Sequence, residues 1–183
     1  MKDGSFEAAL VLSGLKVSAS ELGYRAQALF AETLVRMGGA IESIARVGHP
    51  DVIARISGNR LRVQVKSTTQ HSFTLGAEDL DGIRPRAREE SGYLAVLDLG
   101  PPIAWICVAY DQARSLLDHP VPLAMLDAMA DVTFSTQCTD AFVDIVLEHR
   151  NSIEAFTFSL VRFGFRVISG FSRATPPIIT LTA

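Results

Sequence analysis

The sequence has few cysteines and no cysteine pattern of the kind that binds metals. Only two cysteines, Cys107 and Cys138, occur in the 183 residues, and their spacing matches no metal-ligand motif. A disulfide framework is therefore not expected. Cys107 lies within an apolar run, which indicates a small buried thiol.

The chain also lacks an excess of positive charge and any long apolar run. Its formal net charge is -3, so a contact with nucleic acid would be confined to a local patch. The apolar stretch near the N-terminus is interrupted by Glu7 and Gly14 and is too short for a secretory signal or a membrane span. We therefore expect a soluble, cytoplasmic protein, and no internal repeat or low-complexity segment is present.

A strong helix signal begins at residue 18. Ser18 and Glu21 form a capping-box pattern, and the pair Gly38-Gly39 ends the run. Apolar residues recur at helical spacing between these limits, which indicates one buried face. The residues of this stripe are Leu22, Ala26, Leu29, Phe30, Thr33 and Met37. A strand from Ile41 to Val47 is predicted to follow.

The next segment predicts a β-hairpin with polar residues at one end. Runs with strand character extend over Val52–Ile56 and Arg60–Lys66, and Gly58-Asn59 between them is a turn signal. Because side chains alternate along a strand, Val63 and Val65 are expected to face the core and Gln64 and Lys66 the opposite side. Asp51, just before the first strand, would then converge with Gln64 and Lys66. A carboxylate, an amide oxygen and an ammonium are groups that suit a divalent cation and a water nucleophile.

Pro50-Asp51 followed by Gln64-Val65-Lys66 resembles the motif of the PD-(D/E)xK nuclease superfamily, in the QxK form similar to Mrr-like and Holliday-junction-resolvase-like enzymes. The order of elements is also similar: helix, strand, PD, hairpin, QxK and a further apolar strand pair. The resemblance extends from Leu22 to about Ala109. It implies an α/β fold of the restriction-endonuclease type, with a central mixed sheet flanked by helices and, here, a C-terminal helical extension.

The resemblance also implies an activity, a cofactor and a site. The activity is metal-dependent hydrolysis of DNA phosphodiester bonds, plausible in restriction, phage defence or the processing of mobile or branched DNA. The cofactor is Mg²⁺ or Mn²⁺, with Asp51, Gln64 and Val65 as the metal-binding residues. Lys66 would orient the attacking water and offset charge on the phosphate. RNA remains an alternative substrate, since no pattern in the sequence indicates recognition of the 2′-hydroxyl that distinguishes RNA from DNA.

Two positions depart from the common pattern of this superfamily. Gln64 stands where most relatives have a carboxylate, and a neutral amide is a weaker ligand for a hard cation. Relatives also often carry a Glu four residues after a helical Gly, whereas Gly23 is followed at that distance by Gln27. Glu32 lies about 140° from Gln27 around a helix, so we favour Gln27 as the fourth site residue. These departures leave open a catalytically inactive protein that binds nucleic acid or another protein.

Beyond Lys66 the sequence gives coarser expectations. Ser67 and Thr68 are candidate phosphate contacts, and Arg84, Arg86 and Arg88 form the densest basic cluster, which could follow a nucleic-acid backbone. A short helix followed by a loop, stopped by Pro85, precedes two apolar strands joined at Gly100-Pro101-Pro102. Further on we predict a helix from Asp111 with that residue as its cap, a strand at Val132–Ser135, and one long or two short helices ending at Gly164.

The expected organisation is a nuclease-like core over residues 1–120 and a C-terminal extension over residues 121–183. Five of the ten phenylalanines fall between Phe142 and Phe165. Such a Phe-rich region is expected to pack on the core or on a second copy of the chain, which makes a homodimer possible. A third alternative is a structural subunit that functions through these helices.

Overall fold

The computed structural model describes residues 4–15, 18–44, 50–117 and 119–163. Its helices are α1 (Ser5–Ser13), α2 (Ala19–Arg36), α3 (Ala77–Ile83), α4 (Tyr110–Ala113), α5 (Leu123–Ala128), α6 (Val132–Glu148) and α7 (Ile153–Phe163), with a short 3-10 helix at Arg114–Leu116. Its strands are β1 (Ala40–Ile44), β2 (Val52–Ile56), β3 (Asn59–Thr68), β4 (Ser72–Thr74), β5 (Glu90–Asp98), β6 (Ala104–Ala109) and β7 (Pro120–Pro122). Residues 45–47 of the predicted first strand, and Gly164 at the predicted end of the last helix, lie outside the described residues.

A five-stranded mixed sheet forms the centre of the protein, in the order β1-β2-β3-β5-β6. All its pairings are antiparallel except that of β3 with β5, which are parallel and connected through α3. The expected central mixed sheet flanked by helices is confirmed. The chain also has the order of elements on which the family resemblance depends. β4 and β7 pair separately as a small antiparallel sheet.

The register of the β2–β3 hairpin decides which side chains enter the core. Ile56 pairs with Asn59, so the turn consists of Ser57 and Gly58, with φ values of 50° and 84°. Positive φ at both central residues is the geometry of a tight hairpin turn. The predicted hairpin is confirmed, but the turn is one residue earlier than the Gly58-Asn59 signal indicated. In this register Val63 is fully buried and Val65 is 5% exposed, as expected.

Two apolar layers cover the two faces of the sheet. One contains side chains from α1, α2 and α6 together with Val63 and Val65 of β3. The other contains side chains from α3, α5, the 3-10 helix and β7, together with Leu94 and Val96 of β5. Gln64 and Lys66 therefore point to the α3 side, because they alternate with the two valines.

The C-terminal helices differ in part from their prediction. Val132–Ser135 is not a strand but the first turn of α6, because the Asp131 side chain accepts a hydrogen bond from the Phe134 N–H at 3.0 Å and caps the helix. The region predicted to form one long or two short helices before Gly164 consists of two helices, α6 and α7. Asp111 lies inside the first turn of α4 rather than at its cap, which is Ala109.

Part of the Phe-rich region contributes to the central core. Phe142, Ile145 and Val146 of α6 are fully buried, and the Phe142 ring packs edge-on against Trp105 at a centroid distance of 5.7 Å. On α7, the Phe156 ring stacks on His149. The side chain of Phe163 lies outside the described part of the chain. Cys107 and Cys138 are both buried free thiols. Within the described residues, no helix combines the length and apolar character needed to cross a membrane.

Candidate functional site

Asp51 is the centre of the candidate site. It follows buried Pro50, precedes the first residue of β2 and is itself only 6% exposed. Its Oδ2 atom accepts hydrogen bonds from Nε2 of Gln64 at 2.7 Å and from the backbone N–H of Val65 at 2.8 Å. The pairing of Val52 with Val63 places Asp51 across from this part of β3, so the hairpin register brings these groups together.

A third donor reaches Asp51 from α2. Nε2 of Gln27 lies 2.8 Å from Oδ1 of Asp51. α2 starts at the position predicted by the capping pattern, where the Ser18 side chain accepts from the Glu21 N–H at 3.2 Å. Glu32 lies elsewhere on the helix, where Arg36, Glu148 and His149 surround it and burial raises its pKa. Gln27, and not Glu32, is the α2 residue in contact with Asp51.

The surroundings of Asp51 make its charged form costly. Burial raises its pKa from 3.8 to about 6, against the opposing effects of the Val65 N–H and the Lys66 ammonium, while the Asp79 carboxylate raises it further. The side chains that donate to this carboxylate are the neutral amides of Gln27 and Gln64, which stabilise its negative charge less than a cationic side chain would. The site is therefore poor in charge, as the two glutamines in the sequence indicated.

Lys66 is held by an acidic residue that the sequence did not single out. Its Nζ atom lies 2.7 Å from Oδ1 of Asp79, on α3. The sequence gives a signal only for the direction of this side chain: Asp79 lies one helical turn before Ile83, which is buried, so both project toward the sheet. Glu78 and Asp81, its acidic neighbours, are exposed.

The groups that could bind a metal ion here are oxygen atoms of modest charge. Among the described residues, no three His, Cys, Asp or Glu side chains gather in a possible metal-binding group. Asp51 contributes one carboxylate, Gln64 an amide oxygen and Val65 its backbone carbonyl. A carboxylate has about four lone-pair positions, and the contacts above use three of those on Asp51. Mg²⁺ commonly binds one or two carboxylates and keeps several waters, so this donor set suits a weakly held ion.

The expected nucleic-acid contacts lie in two separate places. Ser67 and Thr68 end β3, next to Lys66, and the Thr68 hydroxyl accepts from the Gln70 N–H at 2.9 Å. The exposed residues Arg84, Arg86 and Arg88 lie in the loop before β5, whose first residue pairs with Arg60. Six residues of β3, or about 20 Å, separate Arg60 from Lys66. The arginine loop is therefore not brought to the Asp51 site.

No protein-family model matches the chain, and no curated protein matches it either. One similar solved structure is the 1.6 Å structure of Hjc, a Holliday junction resolvase from the archaeal hyperthermophile Archaeoglobus fulgidus. It is 18% identical, the similarity covers 55% of this chain and 88% of that one, and the TM-score is 0.44.

Proposed function

We propose that the protein is a divalent-metal-dependent nuclease that hydrolyses phosphodiester bonds in DNA. One observation carries the proposal: Gln64 donates to Asp51, and the Lys66 ammonium lies near enough to act on the pKa of that carboxyl, although Asp51 and Gln64 are thirteen positions apart. A buried carboxylate is costly to maintain, so its presence near the Lys66 ammonium, whose side chain is 32% exposed, favours a chemical role over a purely structural one.

The residues suited to hold Mg²⁺ or Mn²⁺ are Asp51, Gln64 and Val65, through a carboxylate, an amide and a backbone oxygen. When bound, such an ion would lower the pKa of a coordinated water and polarise a phosphoryl oxygen. Lys66 would donate to the phosphate and offset the charge that develops there. Gln27 would orient the Asp51 carboxylate through the bond from its Nε2 atom.

Nucleic-acid binding is expected to be local, because the chain carries a net charge of -3. Ser67 and Thr68 adjoin Lys66 and would contact the phosphates next to the cleaved bond. Arg84, Arg86 and Arg88 could contact only DNA that extends about 20 Å from Lys66, which is about six base pairs. Restriction, phage defence and the processing of mobile or branched DNA are roles compatible with this chemistry.

Cleavage of plasmid and branched DNA by the purified protein tests the proposal. We expect cleavage with Mn²⁺, slower cleavage with Mg²⁺ and none in excess chelator, since Mn²⁺ tolerates weaker and less regular ligands. Asp51→Asn is the negative control for a contaminating nuclease. Equal cleavage in chelator would remove the metal from the proposal, and RNA cleaved in preference to DNA would change the substrate.

A second candidate function is a nuclease-fold protein that binds nucleic acid or another protein without cleaving. The observation that favours it is the pair of amide groups, Gln27 and Gln64, that donate to Asp51 where carboxylates are common in the superfamily. Calorimetric titration with Mn²⁺ separates the candidates. Absence of both heat and cleavage, together with DNA binding that does not depend on metal, would favour the second.

A homodimer through the C-terminal region is also proposed, because cutting both strands of a duplex calls for two sites related by a two-fold axis. Phe142, Ile145 and Val146 are buried within one chain and would not contribute to such an interface. Light scattering should give twice the chain mass, and a single chain mass at high concentration would reject the dimer. Phe142→Glu is expected to unfold the protein rather than produce a monomer.

A further inference from the structure

Lys66 has a fixed acidic partner outside the hairpin. The ion pair with Asp79 joins side chains that are 32% and 15% exposed, respectively. A lysine side chain has four rotatable bonds, and ordering it costs up to about 2 kcal/mol of rotamer entropy. The Asp79 carboxylate therefore restricts where the Lys66 ammonium lies before any substrate is present.

Asp79 is itself held in one orientation. Its Oδ2 atom accepts a hydrogen bond from the Gly76 N–H at 3.1 Å, while Oδ1 accepts from Lys66. Gly76 is the residue that precedes α3, so this bond also caps the start of the helix. With both oxygens engaged, the carboxylate cannot rotate freely away from Lys66.

α3 is in turn anchored to the sheet. Nε and Nη2 of Arg62, on β3, lie 3.1 and 3.0 Å from the carbonyl oxygen of Gly82 near the end of the helix. At Gly92 on β5, a Cβ atom would lie 1.9 Å from the carbonyl oxygen of Ile83, so the absence of a side chain allows this close packing. One strand thus contacts both ends of α3, through Lys66 and Arg62.

We propose that Asp79 is the positioning residue for Lys66, and that α3 serves to hold the Lys66 ammonium beside Asp51. This inference rests on the proposed nuclease function. The Asp79 carboxylate acts on Lys66 and not on the substrate. The inference extends the proposed nuclease site to Asp79, a residue outside the PD and QxK motifs.

Asp79→Asn removes the charge that confines Lys66 while keeping an oxygen for the Gly76 N–H. We expect kcat to fall about tenfold to a hundredfold with KM little changed, because a misplacement near 1 Å costs about that much. Asp79→Glu retains the carboxylate and should recover part of the rate. Asp81→Asn, at an exposed position on the same helix, is the matched control for the loss of one negative charge and should cleave like wild type.

A second measurement does not depend on activity. The chain has only three lysines, Lys2, Lys16 and Lys66, so the ammonium signals in a proton–nitrogen NMR spectrum are few. Lys66→Arg assigns the Lys66 signal by its loss. A paired ammonium exchanges protons slowly with water, so this signal should be visible in wild type and Asp81→Asn, weaker in Asp79→Glu and absent in Asp79→Asn.

The outcomes separate the two proposals. A Lys66 signal that is unchanged in a folded Asp79→Asn variant overturns the positioning role, whatever the cleavage result. An Asp79→Asn variant that cleaves as fast as wild type, or faster, also overturns it, and a faster variant would identify the pair as an inhibitory contact. If wild type cleaves nothing while its signal depends on Asp79, the nuclease function fails and the placement of Lys66 by Asp79 stands.

Discussion

Nε2 of Gln64 lies 2.7 Å from Oδ2 of Asp51. In this contact the glutamine presents its nitrogen to the carboxylate, whereas a metal ion would require its amide oxygen. The same amide cannot point both atoms at the same place. Metal binding through Gln64 therefore requires the amide to turn and lose this hydrogen bond. The lost bond weakens metal binding further, beyond the weakness of a neutral ligand.

The two charged residues of the motif should have separable roles. Asp51→Asn is expected to abolish Mn²⁺ binding and cleavage together, because Asp51 supplies the single carboxylate of the proposed ligand set. Lys66→Met should retain Mn²⁺ binding and lose cleavage, since an ammonium is not a metal ligand. Calorimetric titration on both variants, beside a cleavage assay, measures this. Unchanged ion affinity in Asp51→Asn would exclude Asp51 as a ligand.

Replacing the neutral ligand should strengthen metal binding. In Gln64→Glu we expect Mn²⁺ and Mg²⁺ to bind about tenfold more tightly, because affinity follows the number of charged ligands. Without metal, two carboxylates would face each other and the donor to Asp51 would be lost, at a cost of about 1–3 kcal/mol in the free energy of unfolding. Metal should therefore raise the Tm of Gln64→Glu more than that of wild type.

The control for this variant is Gln70→Glu, which adds the same charge at an exposed position. Its Tm in chelator and its metal affinity should equal those of wild type. Equal responses of the two variants to metal would mean that position 64 does not contact the ion.

The raised pKa of Asp51 predicts a specific dependence of stability on pH. The folded-state pKa of about 6 lies above the ordinary value of 3.8, so folding favours the protonated form. The associated stability is present at low pH and is lost as pH rises through the folded-state pKa. Relative to Asp51→Asn, the unfolding free energy of wild type should fall by about 2–3 kcal/mol between about pH 4 and pH 7.5. Urea unfolding of both proteins at several pH values measures the difference, and a constant difference would contradict the shift.

The close approach of β5 to α3 predicts a large effect of a small substitution. Gly92→Ala should lower the free energy of unfolding by about 2–4 kcal/mol, because the new Cβ would overlap the Ile83 carbonyl and the backbone would have to move. Gly23→Ala on α2 has no heavy atom within 4 Å of the added Cβ and should instead stabilise by about 0.5–1 kcal/mol. Thermal or urea unfolding compares the two. Similar effects at both sites would contradict the packing.

Local patterns were enough to predict several elements. Ser18 and Glu21 indicated the start of α2, and the alternation of Val63 and Val65 with polar residues indicated the buried face of β3; both are confirmed. The sequence pattern predicted the wrong element at Val132–Ser135, because a single capping side chain decides the structure there. Asp131 caps α6, so Val132 and the residues after it form a helix although their propensities favoured a strand.

The sequence by itself determined the composition of the site: one carboxylate, two glutamines and a lysine, poor in charge. Only the tertiary structure decided their contacts, because Gln27, Asp51 and Asp79 lie on elements far apart in the chain. The hairpin register places Asp51 across from Gln64, and the packing of α2 brings Gln27 to the same carboxylate. The pairing of Lys66 with Asp79 depends on how α3 packs on the sheet, a long-range geometry that no local pattern specifies.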